Sequence, residues 1–149
     1  MTIETRTHTA LHVLKGAAVK VLGVRWTTGV YVKGNHGRLA LQFDQKPTPE
    51  EVTRIEELAN SKILEDAPID VTDMERVEAE ELHGDAIYDL FPIPPAITRL
   101  TILNIPDWNV NACNKSHTPT TAQIGRLTIT KTRHRATKRL LESSYDVQQ

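Results

Sequence analysis

The chain has 149 residues, 39% hydrophobic and 25% charged, with a net charge of −1, which suits one globular domain with a sizeable core. No run nears the roughly 18 apolar residues of a membrane span, and the polar opening MTIETRT lacks the apolar stretch of a secretory signal. One cysteine excludes an internal disulfide, so the expected compartment is a reducing cytoplasm, and metal or nucleophile chemistry gains weight for the thiol.

Residues 8 to 22 read as a helix, with Thr7 as N-cap and Gly23 as stop. Ala10, Leu11, Val13, Leu14, Ala17, Ala18, Val19, Val21 and Leu22 cover almost every direction of its wheel, which predicts a central, largely buried helix. Residues 26 to 33 and 39 to 43 read as strands joined through Gly34-Asn35-His36-Gly37. Thr48-Pro49-Glu50-Glu51 opens a second helix with a capping box, and Val52, Ile55, Ala59 and Ile63 supply its inner face. Residues 68 to 71 form a short strand, after which Thr72 with Glu75 caps a third helix that Gly84 closes. Strands follow over 99 to 105 and 108 to 113, the second delivering Cys113 at its end, and a hairpin over 124 to 132 and 135 to 142 completes the chain. Pro92, Pro94 and Pro95 mark a loop, not a domain boundary.

Charge is unevenly distributed. Residues 50 to 89 hold 14 of the 19 acids against three basic residues, whereas residues 126 to 139 hold six basic residues and no acid. The basic set, Arg126, Lys131, Arg133, Arg135, Lys138 and Arg139, suggests an edge for phosphates, with a solvated hairpin as the plainer alternative.

Two short patterns gather the only cysteine and three of the six histidines: His8-Thr9-Ala10-Leu11-His12, and Cys113-Asn114-Lys115-Ser116-His117. A spacing of four residues puts two side chains on one helical face. Two imidazoles, a thiolate and a third imidazole suit one tetrahedral zinc ion. The two halves read separately are weak, but together they complete one ligand set. The zincin motif is excluded because no glutamate stands between the two N-terminal histidines. His36 and His134 read as surface histidines, and His83 as part of a helix end.

The segment HTALHVLKGAAVKVLG resembles the HTAxHLLxxALxxVLG opening of the alanyl-tRNA editing domain, and CNKSHTPTTAQIGRLTI resembles that family's CGGTHVxxTGEIGxxKI. LQFD, TPEEVTRIEELAN and HGDAIYDLF fall between them in the same order, so the likeness runs from about Thr5 to Leu141. It is similar above all to the short AlaX-type editing proteins, and the related threonyl-tRNA synthetase editing domain shares the motif pair. The resemblance implies an α+β fold in a single domain over residues 1–149, with a long buried central helix packed against an antiparallel sheet. It implies zinc ligands at His8, His12, Cys113 and His117, and hydrolysis in trans of a tRNA for alanine mischarged with serine or glycine.

The chain departs from the family pattern where Asn114 and Lys115 replace two glycines and Ser116 a threonine, so Lys115 is expected to meet a phosphate. Leu11 stands where many synthetase-linked domains carry threonine, which leaves Thr27 and Thr28 as candidates to read the amino acid. Lys131, Arg133, Arg135, Lys138 and Arg139 are the candidate tRNA surface, with limited recognition beyond the acceptor end. The alternatives are a non-catalytic RNA-binding module stapled by zinc, and threonyl-type editing of serine on another tRNA.

Overall fold

A computed structural model describes residues 1–149. Helix α1 runs Ile3–Leu22, five residues earlier than the sequence suggested. Thr2, not Thr7, is its N-cap, accepting from the Thr5 amide at 3.1 Å. Thr7 is instead buried, with its hydroxyl 2.9 Å from the Ile3 carbonyl and 2.7 Å from the Gly34 carbonyl. The extra turn is held down by Arg6, whose guanidinium donates to the carbonyls of Gln123, Ile124 and Gln148. Gly23 ends the helix in the left-handed conformation (φ 70°), donating to the Val19 carbonyl at 2.9 Å. Every residue from Thr9 to Ala18 is buried, as the all-round apolar wheel requires.

Strands β1 (Thr27–Lys33) and β2 (His36–Gln42) form the expected hairpin, turning at Gly34 (φ 58°) and Asn35. Helix α2 (Pro49–Leu64) carries the full capping box of Thr48 and Glu51 and buries Ile55, Ala59 and Ile63. Residues Asp70–Glu75 form strand β3, which corrects the assignment of Thr72 as a helix cap. Thr72 pairs with Ile102 across a six-residue antiparallel ladder, and that long-range pairing outweighs the local capping signal. Helix α3 (Arg76–His83) starts after the strand, and Gly84 closes it as expected.

Strands β4 (Arg99–Ile105) and β5 (Asn109–Ala112) complete a sheet ordered β3-β4-β5. The final hairpin pairs β6 (Leu127–Arg135) with β7 (Leu140–Val147), several residues later than the alternation indicated. Ile124 lies in a 3₁₀ turn that Gly125 (φ 83°) ends before β6 begins. These strands join the first hairpin in the order β1-β2-β7-β6, all antiparallel.

The fold is thus α+β with two antiparallel sheets, and α1 packs against strands of both and against α2. Leu11, Leu14 and Ala17 of α1 share one apolar cluster with Leu39, Leu41, Leu103, Ile105 and Tyr145. Tyr145 also donates from its buried hydroxyl to the Thr7 carbonyl at 2.6 Å, tying β7 to the helix turn that carries His8. A smaller cluster of Ala79, Ile87, Leu100 and Ile102 seats α3. No helix is long and apolar enough to cross a membrane.

Candidate metal centre and its two cavities

His8 and His12 stand one turn apart on α1, and the segment after β5 carries Cys113 and His117 to the same place. The ligand atoms of all four residues lie within 4.8 Å of one another, with His8 Nε2 3.3 Å from Cys113 Sγ. The three imidazoles meet with centroids 5.1, 5.2 and 5.3 Å apart. Two bonds that use none of the four side chains also join these segments: the Thr118 amide donates to Thr9 Oγ at 3.0 Å, and Trp108 Nε1 donates to the Val13 carbonyl at 2.9 Å.

The donor set fits a metal. Around a tetrahedral zinc ion with bonds of about 2.0–2.3 Å, neighbouring ligand atoms are roughly 3.5 Å apart, so adjustments of about an ångström close the set. His12 Nε2 and both ring nitrogens of His117 are buried without a hydrogen-bond partner, an arrangement that is costly unless something else takes the lone pairs. Burial lowers the pKa of all three histidines, most strongly at His12 and to about 4 at His117, with the neighbouring imidazoles, Lys15 and Lys115 adding to the shift. They therefore remain neutral and able to ligate. Burial pushes the Cys113 thiol up.

Two cavities meet at this cluster. An open groove of about 380 Å³ passes His8 between Val30, Tyr31 and Lys115. A smaller cavity of about 70 Å³ lies deeper, touching His8, His12 and Cys113 and walled by Lys15, Thr27 and Asn111, with Asp89 at its rim. That volume holds a few water molecules or a small side chain.

The remaining candidates separate. Lys115 is exposed beside His8, lining the groove. Thr27 is buried in the inner cavity wall. Thr28 falls where the β1–β2 register breaks between Thr27 and Gly29; it does not line the cavity, and its hydroxyl is enclosed without a partner. The strand order puts β6 at the sheet edge opposite β1, so Lys131, Arg133 and Arg135 lie three strands away from the groove wall. Within that basic set, Arg135 pairs with Glu142 at 2.8 Å and Arg139 with Asp44, while Lys131, Arg133 and Lys138 make no ion pair. His36 pairs with Asp146 at 2.8 Å on the surface, His134 meets the Phe43 carbonyl at 2.9 Å, and His83 ends α3.

Lys15, Asp89 and Asn111 are polar cavity residues that sequence reading missed, and only Lys15 and Asn111 stand in a regular relation to a motif residue. Their signals were present but faint: a lysine three residues after His12 on an apolar helix, and an asparagine two residues before Cys113 on the same strand face.

Fold and site together define an α+β domain built around a His₃Cys donor set at the mouth of a small cavity. No family model matches the chain. It is 43% identical over 126 residues to the alanine–tRNA ligase of Hyperthermus butylicus, 40% identical over 128 to that of Methanococcus aeolicus, and 38% identical over 128 to that of Pyrococcus furiosus. These alignments cover 83–85% of this chain but 13–14% of each relative; the chain spans about one-seventh of the length of the curated relatives it matches. The chain is therefore a homologue of one segment of the alanine–tRNA ligases, and its resemblance to the alanyl-tRNA editing domain, drawn from the two motifs, is borne out.

Proposed function

We propose that the chain is an aminoacyl-tRNA deacylase acting in trans, which hydrolyses the ester of a tRNA for alanine mischarged with serine, with the glycyl ester as a poorer substrate, and releases free amino acid and tRNA. The observation that carries this reading is the position of the donor cluster between an open groove and a deeper, smaller cavity of about 70 Å³. A tRNA acceptor end fits the groove and a small aminoacyl group fits the cavity, which leaves the ester bond beside His8 and Cys113. Homology to alanine–tRNA ligases supports the tRNA partner.

His8, His12, Cys113 and His117 would hold a zinc ion, one per chain. The chemistry zinc supplies in such a site is Lewis-acid polarisation of an ester carbonyl or a water. Lys115 on the groove wall meets a backbone phosphate, and Lys131, Arg133 and Lys138 supply a second cationic strip for the tRNA body, so binding weakens with salt. Thr27 reads the amino acid from the cavity wall. A site that hydrogen-bonds a hydroxyl can reject the analogue lacking it by about 10⁴-fold, whereas a pocket for alanine cannot strongly reject serine, so a separate serine-reading hydrolase is the physically sensible corrector.

The test is deacylation of Ser-tRNA(Ala), Ala-tRNA(Ala) and Ser-tRNA(Thr) by purified protein. The expected result is rapid loss of the first, sparing of the second, and loss of nearly all activity in Cys113→Ala with the fold retained. A protein that hydrolyses only Ser-tRNA(Thr) is a threonyl-type editor. One specific observation favours a non-catalytic module, since four protein donors fill a tetrahedral zinc ion and leave no open position; tight tRNA binding without hydrolysis would establish that reading instead.

A further inference from the structure

The inner cavity contains a buried cation whose placement has a chemical consequence for the amino acid beside it. Lys15 is 8% exposed on α1, and Thr27, on the facing strand, is 5% exposed. Lys15 Nζ donates to Thr27 Oγ at 2.7 Å and to the Arg25 carbonyl at 3.0 Å. An ammonium group has only donors to offer. Thr27 Oγ must therefore spend a lone pair on Lys15, and its own O–H, which has no acceptor within the protein, is turned away from the ammonium into the cavity that Thr27 lines.

Asn111 complements this polarity on the opposite wall. Its amide nitrogen donates to the carbonyls of Ile87 at 3.0 Å and Ala112 at 3.1 Å. With these two carbonyls and the Asp89 carboxylate all drawing on the amide nitrogen, Oδ1 is left as an acceptor. Thr27 and Asn111 thus add a hydroxyl donor and an amide acceptor to a cavity that Lys15 and Asp89 also line, in a space the size of a small side chain.

We infer that Lys15 is a positioning residue that locks the Thr27 hydroxyl as a hydrogen-bond donor, so that the cavity selects an aminoacyl group bearing a β-hydroxyl. This rests on the deacylase reading above. A seryl oxygen accepts from Thr27 and donates to the Asn111 side. A glycyl group leaves both walls unpaired, and an alanyl methyl would bury a donor against carbon, which is costly. Without Lys15, the Thr27 hydroxyl turns freely and can present a lone pair to the substrate, and selectivity falls even though Thr27 itself is intact.

The experiment measures kcat/KM for Ser-tRNA(Ala) and Gly-tRNA(Ala) in wild type, Lys15→Met, Thr27→Val, the double variant and Thr27→Ser. It is paired with the Kd of two stable ester mimics, 3′-seryl-amido and 3′-glycyl-amido adenosine. Lys15→Met should lower the serine-to-glycine ratio roughly tenfold to a hundredfold, the serine rate falling by more than the glycine rate. The double variant should match Thr27→Val rather than multiply the two losses, and Thr27→Ser should keep the ratio while Lys15 is present. The seryl mimic should lose affinity in step. Equal losses on both substrates in Lys15→Met, or losses that multiply with those of Thr27→Val, overturn the inference. Where Lys15→Met does not fold, Lys15→Gln takes its place under the same criteria. Wild-type protein that hydrolyses neither ester refutes the deacylase reading, and the two mimics then decide the inference alone: equal wild-type affinity for both overturns it.

Discussion

At Lys15 the fold holds a cation out of water, and this has a measurable effect on stability whatever the substrate. Burial pushes its pKa from 10.5 down to about 8, with Asp89 opposing the shift, and Lys15 in turn helps to lower the pKa of His12. An unfolded lysine keeps its proton to about pH 10.4. Between pH 8 and that value the unfolded chain binds more protons than the folded one, so this group makes stability rise with pH; below pH 8 the whole penalty, about 3 kcal/mol, is present. Tyr145 acts in the opposite sense at the upper end, since burial raises its pKa above 10.0 and the unfolded chain loses that proton first. The clean quantity is therefore the difference between wild type and Lys15→Met, in which Tyr145 cancels. Urea unfolding should show wild type gaining on the variant by about 2–3 kcal/mol from pH 8 to pH 10, and a flat difference would mean that the ammonium is not buried. The absolute order at pH 7 is less informative, because the methionine also leaves Thr27 and the Arg25 carbonyl without their donor.

Among the elements, α1 governs the site, and its contact with the turn before β5 is the tightest joint. Gly16 lies under the Trp108 indole so closely that an added Cβ would fall 2.3 Å from two ring atoms. Trp108 follows Asp107, which turns the chain in the left-handed region (φ 58°), and it is flanked by the Lys20 and Lys62 ammonium groups, 5.2 and 4.9 Å from the ring. Gly16→Ala gains about 1 kcal/mol of helix propensity but must displace the indole and break its bond to the Val13 carbonyl, which together cost about 2–4 kcal/mol. The expected net is a loss of about 1–3 kcal/mol in urea unfolding, with a red-shifted tryptophan emission and weaker metal uptake as β5 moves; a more stable variant with unchanged emission would contradict this packing. Helix ends show which local features were legible. Thr48 was readable because its capping box closes within three residues. Thr7 and Thr72 carry the same local chemistry, but one is claimed by Gly34, 27 residues away, and the other by a strand partner at Ile102. No window of sequence contains those partners.

For the molecule as a whole, the two His/Cys pairs that could hold a metal were legible because residue type alone marks them, whereas the inner cavity exists only where α1, β1 and β5 meet. The same long-range packing bears on what a metal bound there would do for the fold. Cys113 and His117 join a helix more than a hundred residues earlier in the chain, so a metal there could be the staple without which the protein unfolds. The other bonds across that joint argue against this. Thr9 to Thr118, Val13 to Trp108, and Arg6 to the carbonyls of Gln123 and Ile124 all cross it without the four ligands. The 20-residue apolar cluster contains none of the four and draws on α1, α2 and strands of both sheets. Chelation should then remove only the binding contribution, about 4 kcal/mol at a free metal concentration a thousand times Kd, which lowers Tm by roughly 10 °C. Far-UV circular dichroism at 20 °C should be unchanged by chelator, and added zinc should restore Tm. A chelated chain that is unfolded at 20 °C would make the metal a structural staple and favour the non-catalytic reading. A folded but inactive one is the outcome expected of a deacylase whose scaffold stands without its ion.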